Sequence, residues 1–134
     1  MDMGSVAPLS DDKNVMSWQR HTMATRISTY AEFWPWYLSE HSAPLTRRLH
    51  ALGTGLGLLL LLATLLIGPW WLFLVALVAG YGFAWVSHMV VERNRPASFR
   101  HPWWSLLSDF RMAWCMVTGT LDDELRKAGV TPGR

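Results

Sequence analysis

Leu49 to Val91 is a run of 43 residues without one Asp, Glu, Lys or Arg, in a chain of 134. Wound as a helix at about 1.5 Å per residue, such a run is roughly 65 Å long, about twice the hydrocarbon thickness of a bilayer. A soluble domain of this size has too little remaining chain to cover it on every side. Ten of the 22 charged side chains precede the run and twelve follow it. This distribution argues against a soluble globular enzyme, a disordered chain and a secreted disulfide scaffold. It predicts an all-α membrane protein.

The net charge of +2 does not redirect that reading, because the basic residues form no stripe. Arg47, Arg48, Arg93, Arg95 and Arg100 bracket the apolar run, where membrane proteins place positive charge. Nucleic-acid binding is not expected. One cysteine, Cys115, cannot form an intrachain disulfide. The opening residues are polar and acidic and carry no h-region of a signal peptide.

The sequence divides into a flexible lead over 1–16, a single membrane domain over 17–120 and a polar tail over 121–134. Trp18 to about Thr29 has a mixed pattern that suits helix. Tyr30 to Tyr37 holds five aromatics, which either anchor in the headgroup region or pack on the following helices. Pro35 and Pro44 are expected to break any single helix here. Gly68-Pro69 is a strong turn signal that splits the apolar run into spans of 49–67 and 70–91, each near the 20 residues needed to cross a bilayer. So short a turn predicts an antiparallel transmembrane hairpin with both open ends, and all five arginines, on the cytoplasmic side. Gly53 and Gly57 on the first span, and Ala76, Gly80 and Ala84 on the second, allow close backbone approach within the hairpin or in a homo-oligomer.

A segment at 103–118 is interrupted by Asp109 and Arg111. It is either a third helix with its polar face turned into the bundle or, as favoured, an amphipathic helix in the interface. Ser105, Ser108, Asp109 and Met112 mark one side, and Leu106, Phe110, Ala113 and Val117 the other. The tail reads as a short helix with Asp122/Arg126 and Asp123/Lys127 pairs.

Four of the five histidines lie near the predicted open end. His50 starts the first span, His88 ends the second, His41 precedes His50 by nine residues, and His101 follows His88 by thirteen. A single histidine at a helix end is ordinarily an interfacial or capping residue, but four at one membrane depth point to a transition metal. Tyr81, Trp85, His88 and Glu92 share one helical face, so Glu92 either joins His88 on a metal or fixes another ligand's ring. His50 shares its face with Gly53 and so points at the partner helix. Asp109, eight residues after His101, either supports a ligand or pairs with a loop arginine.

Two strings carry a resemblance. The first is His41-Ser-Ala-Pro-Leu-Thr-Arg-Arg-Leu-His50, followed by Gly53-Thr54. The second is Trp85-Val-Ser-His88 with Glu92-Arg-Asn-Arg-Pro-Ala-Ser-Phe-Arg-His101-Pro-Trp-Trp-Ser-Leu-Leu-Ser-Asp109. Over about residues 30 to 118 the chain resembles the 2-hydroxy fatty acid dioxygenases of phytosphingosine catabolism and their bacterial relatives. It departs from their pattern at Ala43 and Thr46, where asparagines are expected. The resemblance implies an integral membrane enzyme of bacterial inner-membrane or endoplasmic-reticulum type. Such an enzyme uses Fe(II) and O2 to shorten a 2-hydroxy fatty acid by one carbon. It implies metal and catalytic roles for His41, His50, His88 and His101, with Glu92, Asn94 and Asp109 as supporting groups.

A 2-hydroxy acid binds iron through two oxygens and O2 takes one further position, which leaves three protein ligands, so one of the four histidines either supports from outside the ligand set or leaves when substrate arrives. Arg93, Arg95 and Arg100 either meet the substrate carboxylate or serve only as positive-inside anchors. Tyr81 and Trp85 are candidate substrate contacts, with the acyl chain lying along the hairpin in the lipid bilayer. A di-iron hydroxylase needs more histidines than five and boxes that are not present. A b-type haem held by His50 and His88, and a purely structural membrane protein, are the other readings.

Overall fold

The computed structural model describes residues 27–131. The predicted lead over 1–16, most of the helix proposed from Trp18 and the last three residues of the tail lie outside them. Among the described residues every regular element is helical.

Helix α1, Tyr30–Glu40, opens with a reciprocal cap: Thr29 Oγ1 accepts from the Glu32 N–H, and Glu32 returns its carboxylate to the Thr29 N–H. Pro35 lies inside this helix and does not break it, contrary to expectation. Its ring removes one backbone donor, and the burial of Phe33, Trp34, Tyr37 and Leu38 around it outweighs that loss. The aromatic cluster at 30–37 therefore takes the packing alternative for these rings.

Helix α2, Pro44–Ile67, uses Pro44 as its first residue and begins five positions before the expected Leu49, so that Arg47 and Arg48 fall within it. It ends where Gly68 turns left-handed at φ 94°. Helix α3, Trp71–Ser87, follows and packs along α2. Gly53 lies against Ala79, Gly80 and Phe83, whereas Gly57, one turn later, lies against Ala76 and Gly80, so the two helices run in opposite directions. A Cβ on Gly53 would stand 3.0 Å from the Phe83 Cβ and 3.1 Å from the Gly80 carbonyl oxygen.

The stretches Pro44–Ile67 and Trp71–Glu92 are long and apolar enough to cross a membrane. Only 11% and 22% of their most apolar windows are buried among the described residues, so neither helix is packed here as a core helix. Buried positions on α2 are confined to Thr46, Arg47, His50 and Gly53. Around the Gly68-Pro69 turn, Leu65, Leu66, Ile67 and Trp70 are exposed. The protein thus consists of a bare apolar helix pair joined at its open end to a small packed headpiece.

That headpiece is made by α1, helix α4 at Pro102–Thr118 and helix α5 at Leu121–Lys127. Its core is Phe33, Trp34, Tyr37, Leu38, Ala97, Met112, Cys115, Leu121 and Leu125. Helix α4 turns its polar side inward, burying Ser105 and Ser108, while Trp103, Trp114 and Val117 face outward. Glu124 fastens α5 by accepting from the Trp34 indole N–H at 2.8 Å, from Arg111 at 3.0 Å and from Lys127 at 2.9 Å. The tail's ion pairs are therefore Asp123 with Arg126 and Glu124 with Lys127, at i,i+3 and not at the expected i,i+4.

Two outcomes test this packing in detergent-solubilised protein. Gly53→Ala lowers thermal stability by about 1–3 kcal/mol through overpacking, whereas Gly55→Ala, with open space around it, leaves it unchanged or slightly raised. The hydrogen bonds from Lys127 and Trp34 hold the Glu124 carboxyl below its usual range. The folded state therefore binds that proton less readily than the unfolded chain. The stabilisation is in place above the ordinary glutamate range and is lost as pH falls through the lowered value. Glu124→Gln destabilises at neutral pH, and its difference from the parent closes in acid.

Candidate metal centre

Three histidines meet where α1, α2 and α3 come together. His41 caps the C-terminus of α1, His50 lies two turns into α2, and His88 begins a five-residue π-helical turn, His88–Glu92, that ends α3. All three are buried, and one nitrogen from each lies within 4.8 Å of the others. This spacing is close enough to hold a metal ion.

Each imidazole has one nitrogen committed to an acceptor. His41 Nδ1 donates to the Tyr37 carbonyl at 2.6 Å, His50 Nδ1 to Asp109 Oδ1 at 2.7 Å, and His88 Nδ1 to Asn94 Oδ1 at 2.7 Å. The Asn94 orientation is fixed in turn, because its Nδ2 donates to the Glu40 carboxylate at 2.8 Å and to the Glu40 carbonyl at 3.1 Å. These acceptors assign the proton of every ring to Nδ1 and leave a lone pair on every Nε2.

The Nε2 atoms of His41 and His88 are 3.1 Å apart, and the Nε2 of His50 is buried without a partner. Lone pairs that face each other at such a distance repel unless a cation lies between them, and a buried unpaired nitrogen costs about 1–3 kcal/mol. The donor set therefore fits a divalent transition ion bound by neutral imidazoles, with supporting acceptors of the kind metal-binding histidines use. Ring centroids stand 4.4 Å (His41–His50), 4.5 Å (His41–His88) and 5.1 Å (His50–His88) apart, which leaves no room for a porphyrin between them.

Burial, reinforced by the neighbouring His50 and His88, holds His41 well below the usual imidazole range, so its ring stays neutral at physiological pH. Burial first, and Asp109 second, push the Tyr37 phenol up. Tyr37 thus remains a donor, and its hydroxyl bonds Asp109 beside His50.

The fourth histidine lies apart. His101 precedes α4, stacks on Trp104 at 5.0 Å and meets Phe33 edge-on at 5.4 Å. Glu92 goes to neither a metal position nor a ring: it accepts from the Ala43 N–H at 2.7 Å and from the Ser42 hydroxyl at 3.0 Å, tying the α1–α2 loop to the end of α3. The π turn is the reason, since it spoils the i, i+4 register on which the shared face of His88 and Glu92 was argued. After it, Arg93 adopts a left-handed φ of 55°, and the backbone N–H groups of Arg93 and Asn94 both reach the His88 carbonyl. That return is what brings Asn94 under the His88 ring.

Beside the trio is a narrow, partly open cleft. Tyr37, Tyr81, Ala84, Pro96, Ala97, Ser98, Ser105 and Asp109 line it with the three histidines. Arg93, Arg95 and Arg100 are exposed, and none lines the cleft. Trp85 stands at its rim, between Tyr81 and Phe99 at 6.0 and 5.6 Å. Sequence reasoning missed Tyr37 and Glu40. The signal available for both was proximity to His41, one turn before it and one residue before it.

Elemental analysis of protein loaded with Zn(II) or Co(II) tests the assignment of tautomers. Asp109→Asn and Asn94→Ala each weaken metal affinity about 10–100-fold. His50→Ala and His88→Ala abolish stoichiometric binding, and His101→Ala retains it.

Searches of curated proteins and of solved structures return no match. Residues 27–121 match the model of the family described as 2-hydroxy-palmitic acid dioxygenase Mpo1-like, a stretch that contains all of the site and more than half of the chain. The chain belongs to that family.

Proposed function

We propose that this protein is a membrane-embedded iron(II) dioxygenase that uses O2 to shorten 2-hydroxy fatty acids by one carbon. The convergence of three neutral imidazole nitrogens beside a cleft carries the proposal. His41, His50 and His88 would hold the ion through their Nε2 atoms, with the substrate approaching from the cleft, and His101 is assigned to packing α1 against α4.

Iron(II), when bound, supplies the redox centre and the template for cleavage between C1 and C2. The chain's own residues do the rest. Tyr37, Asp109 and Asn94 keep the imidazole protons at Nδ1, and Glu40 keeps Asn94 in place. Glu92 closes the α1–α2 loop over the site. Tyr81, Trp85 and Phe99 form an apolar rim at which the acyl chain enters from lipid and lies along α3.

The helix pair is proposed to cross the bilayer as a hairpin. Its bare apolar surface supports this, and so does the gathering of Arg47, Arg48, Arg93, Arg95 and Arg100 at one end. The positive-inside rule makes that end, with the metal centre, cytoplasmic.

The test is turnover. Detergent-solubilised protein given Fe(II), O2 and 2-hydroxypalmitate yields the acid one carbon shorter, and His50→Ala or His88→Ala yields at least 100-fold less, as loss of a metal ligand requires. Absence of the shorter acid from the parent protein, with metal bound, would overturn the proposal.

A further inference from the structure

The cleft contains a second buried group that the fold leaves without a partner. Ser105 lies in the first turn of α4, is 4% exposed, and lines the cleft with His41, His50 and Asp109. Its Oγ makes no hydrogen bond. A serine or threonine within a helix ordinarily returns its hydroxyl to a carbonyl one turn back. This chain does so at Thr64, 2.9 Å from the Leu60 oxygen, at Ser87, 2.7 Å from that of Ala84, and at Thr118, 2.9 Å from that of Trp114. Ser105 does not, although its backbone N–H bonds the His101 carbonyl in normal helical fashion. Of its neighbours in the cleft, Asp109 is engaged by Tyr37 and His50, and Ser98 accepts from the Trp85 indole N–H. Among the described residues, the buried atoms left without a partner on the cleft wall are the His50 Nε2 and the Ser105 Oγ; the Tyr81 hydroxyl also lines the cleft but is less buried. The first has the chemistry of a metal ligand, and the second that of a donor to an oxygen.

Among the described residues no lysine or arginine lines the cleft to meet an anion. Arg47, the basic residue nearest His41 in the fold, is occupied by the carbonyls of His41 and Ser42 at 2.9 and 2.7 Å. An acid head group entering here finds one uncommitted buried hydroxyl on α4. In so poorly solvated a position, a hydrogen bond to a charged oxygen is worth more than at the surface.

We infer that the Ser105 hydroxyl is the donor that receives the carboxylate of the bound fatty acid. The inference rests on the dioxygenase reading and deepens it by naming the group that recognises the acid head. Ser105 takes the role that the sequence had offered to Arg93, Arg95 and Arg100.

The experiment titrates full-length, Zn(II)-loaded protein in detergent with palmitate and with 2-hydroxypalmitate, following tryptophan fluorescence, and measures bound zinc in parallel. Zinc is redox-inert, so binding is read without turnover. Ser105→Ala weakens both acids by the same factor, about 10–100-fold, at unchanged zinc content, and Ser105→Thr, which keeps the hydroxyl, restores binding. Equal binding of both acids by Ser105→Ala and the parent would overturn the inference. So would weakening confined to 2-hydroxypalmitate, which would place Ser105 on the 2-hydroxyl, and so would loss of zinc from Ser105→Ala. Failure of the parent protein to bind either acid while it retains zinc would instead overturn the dioxygenase reading itself.

Discussion

The arrangement of this protein depends on where three protons are kept. An imidazole that binds a metal through one nitrogen carries its proton on the other, an acceptor for that proton fixes the ring's aim, and here each acceptor comes from a different part of the chain. The Tyr37 carbonyl belongs to α1, Asp109 to α4, and Asn94 to the loop after the π turn. To aim three Nε2 atoms at one point, the fold must bring all of these segments to the open end of the α2–α3 pair. The capping of α1, the early start of α2 at Pro44, the inward polar face of α4 and the clamp of Glu92 on the α1–α2 loop all serve that convergence.

This explains why the protein is built so unevenly. At the open end, side chains are buried and hydrogen-bonded, and a compact core of aromatic and aliphatic residues backs them. Among the described residues the helix pair has no such cover at the Gly68-Pro69 end, and its leucines and tryptophans are bare. The backbones of α2 and α3 approach most closely at Gly53 and Gly57, just beyond His50. Close packing and the metal-binding geometry thus belong to one continuous stretch of interface.

Much of this could be read from residue order. The uncharged run, its break at Gly68-Pro69, and the gathering of His41, His50 and His88 all follow from hydropathy, turn chemistry and the length of a helix. What escaped were features set by tertiary contact. Pro35 sits inside a helix because the rings around it are buried. Glu92 was placed by a 3.6-residue period that the π turn interrupts, and so its caps on Ser42 and Ala43 were invisible. His101 looked equivalent to the other three by spacing, but its ring is taken up by Trp104 and Phe33. Glu40 gave no periodic signal, since its part is to orient an amide fifty-four residues away.

The π turn at His88–Glu92 has one more consequence, for how the chain can vary. A wide turn is in effect one residue inserted into an α-helix, and every residue beyond it is rotated by about 100° relative to regular winding. Deleting any one residue between His88 and Asn94 would restore ordinary winding and carry Asn94 away from the ring it supports, even with every side chain of the site still encoded. In this segment, chain length is itself a functional character. Substitutions among the exposed Met89 and Val90 are free to drift, whereas a change of a single codon's length is not.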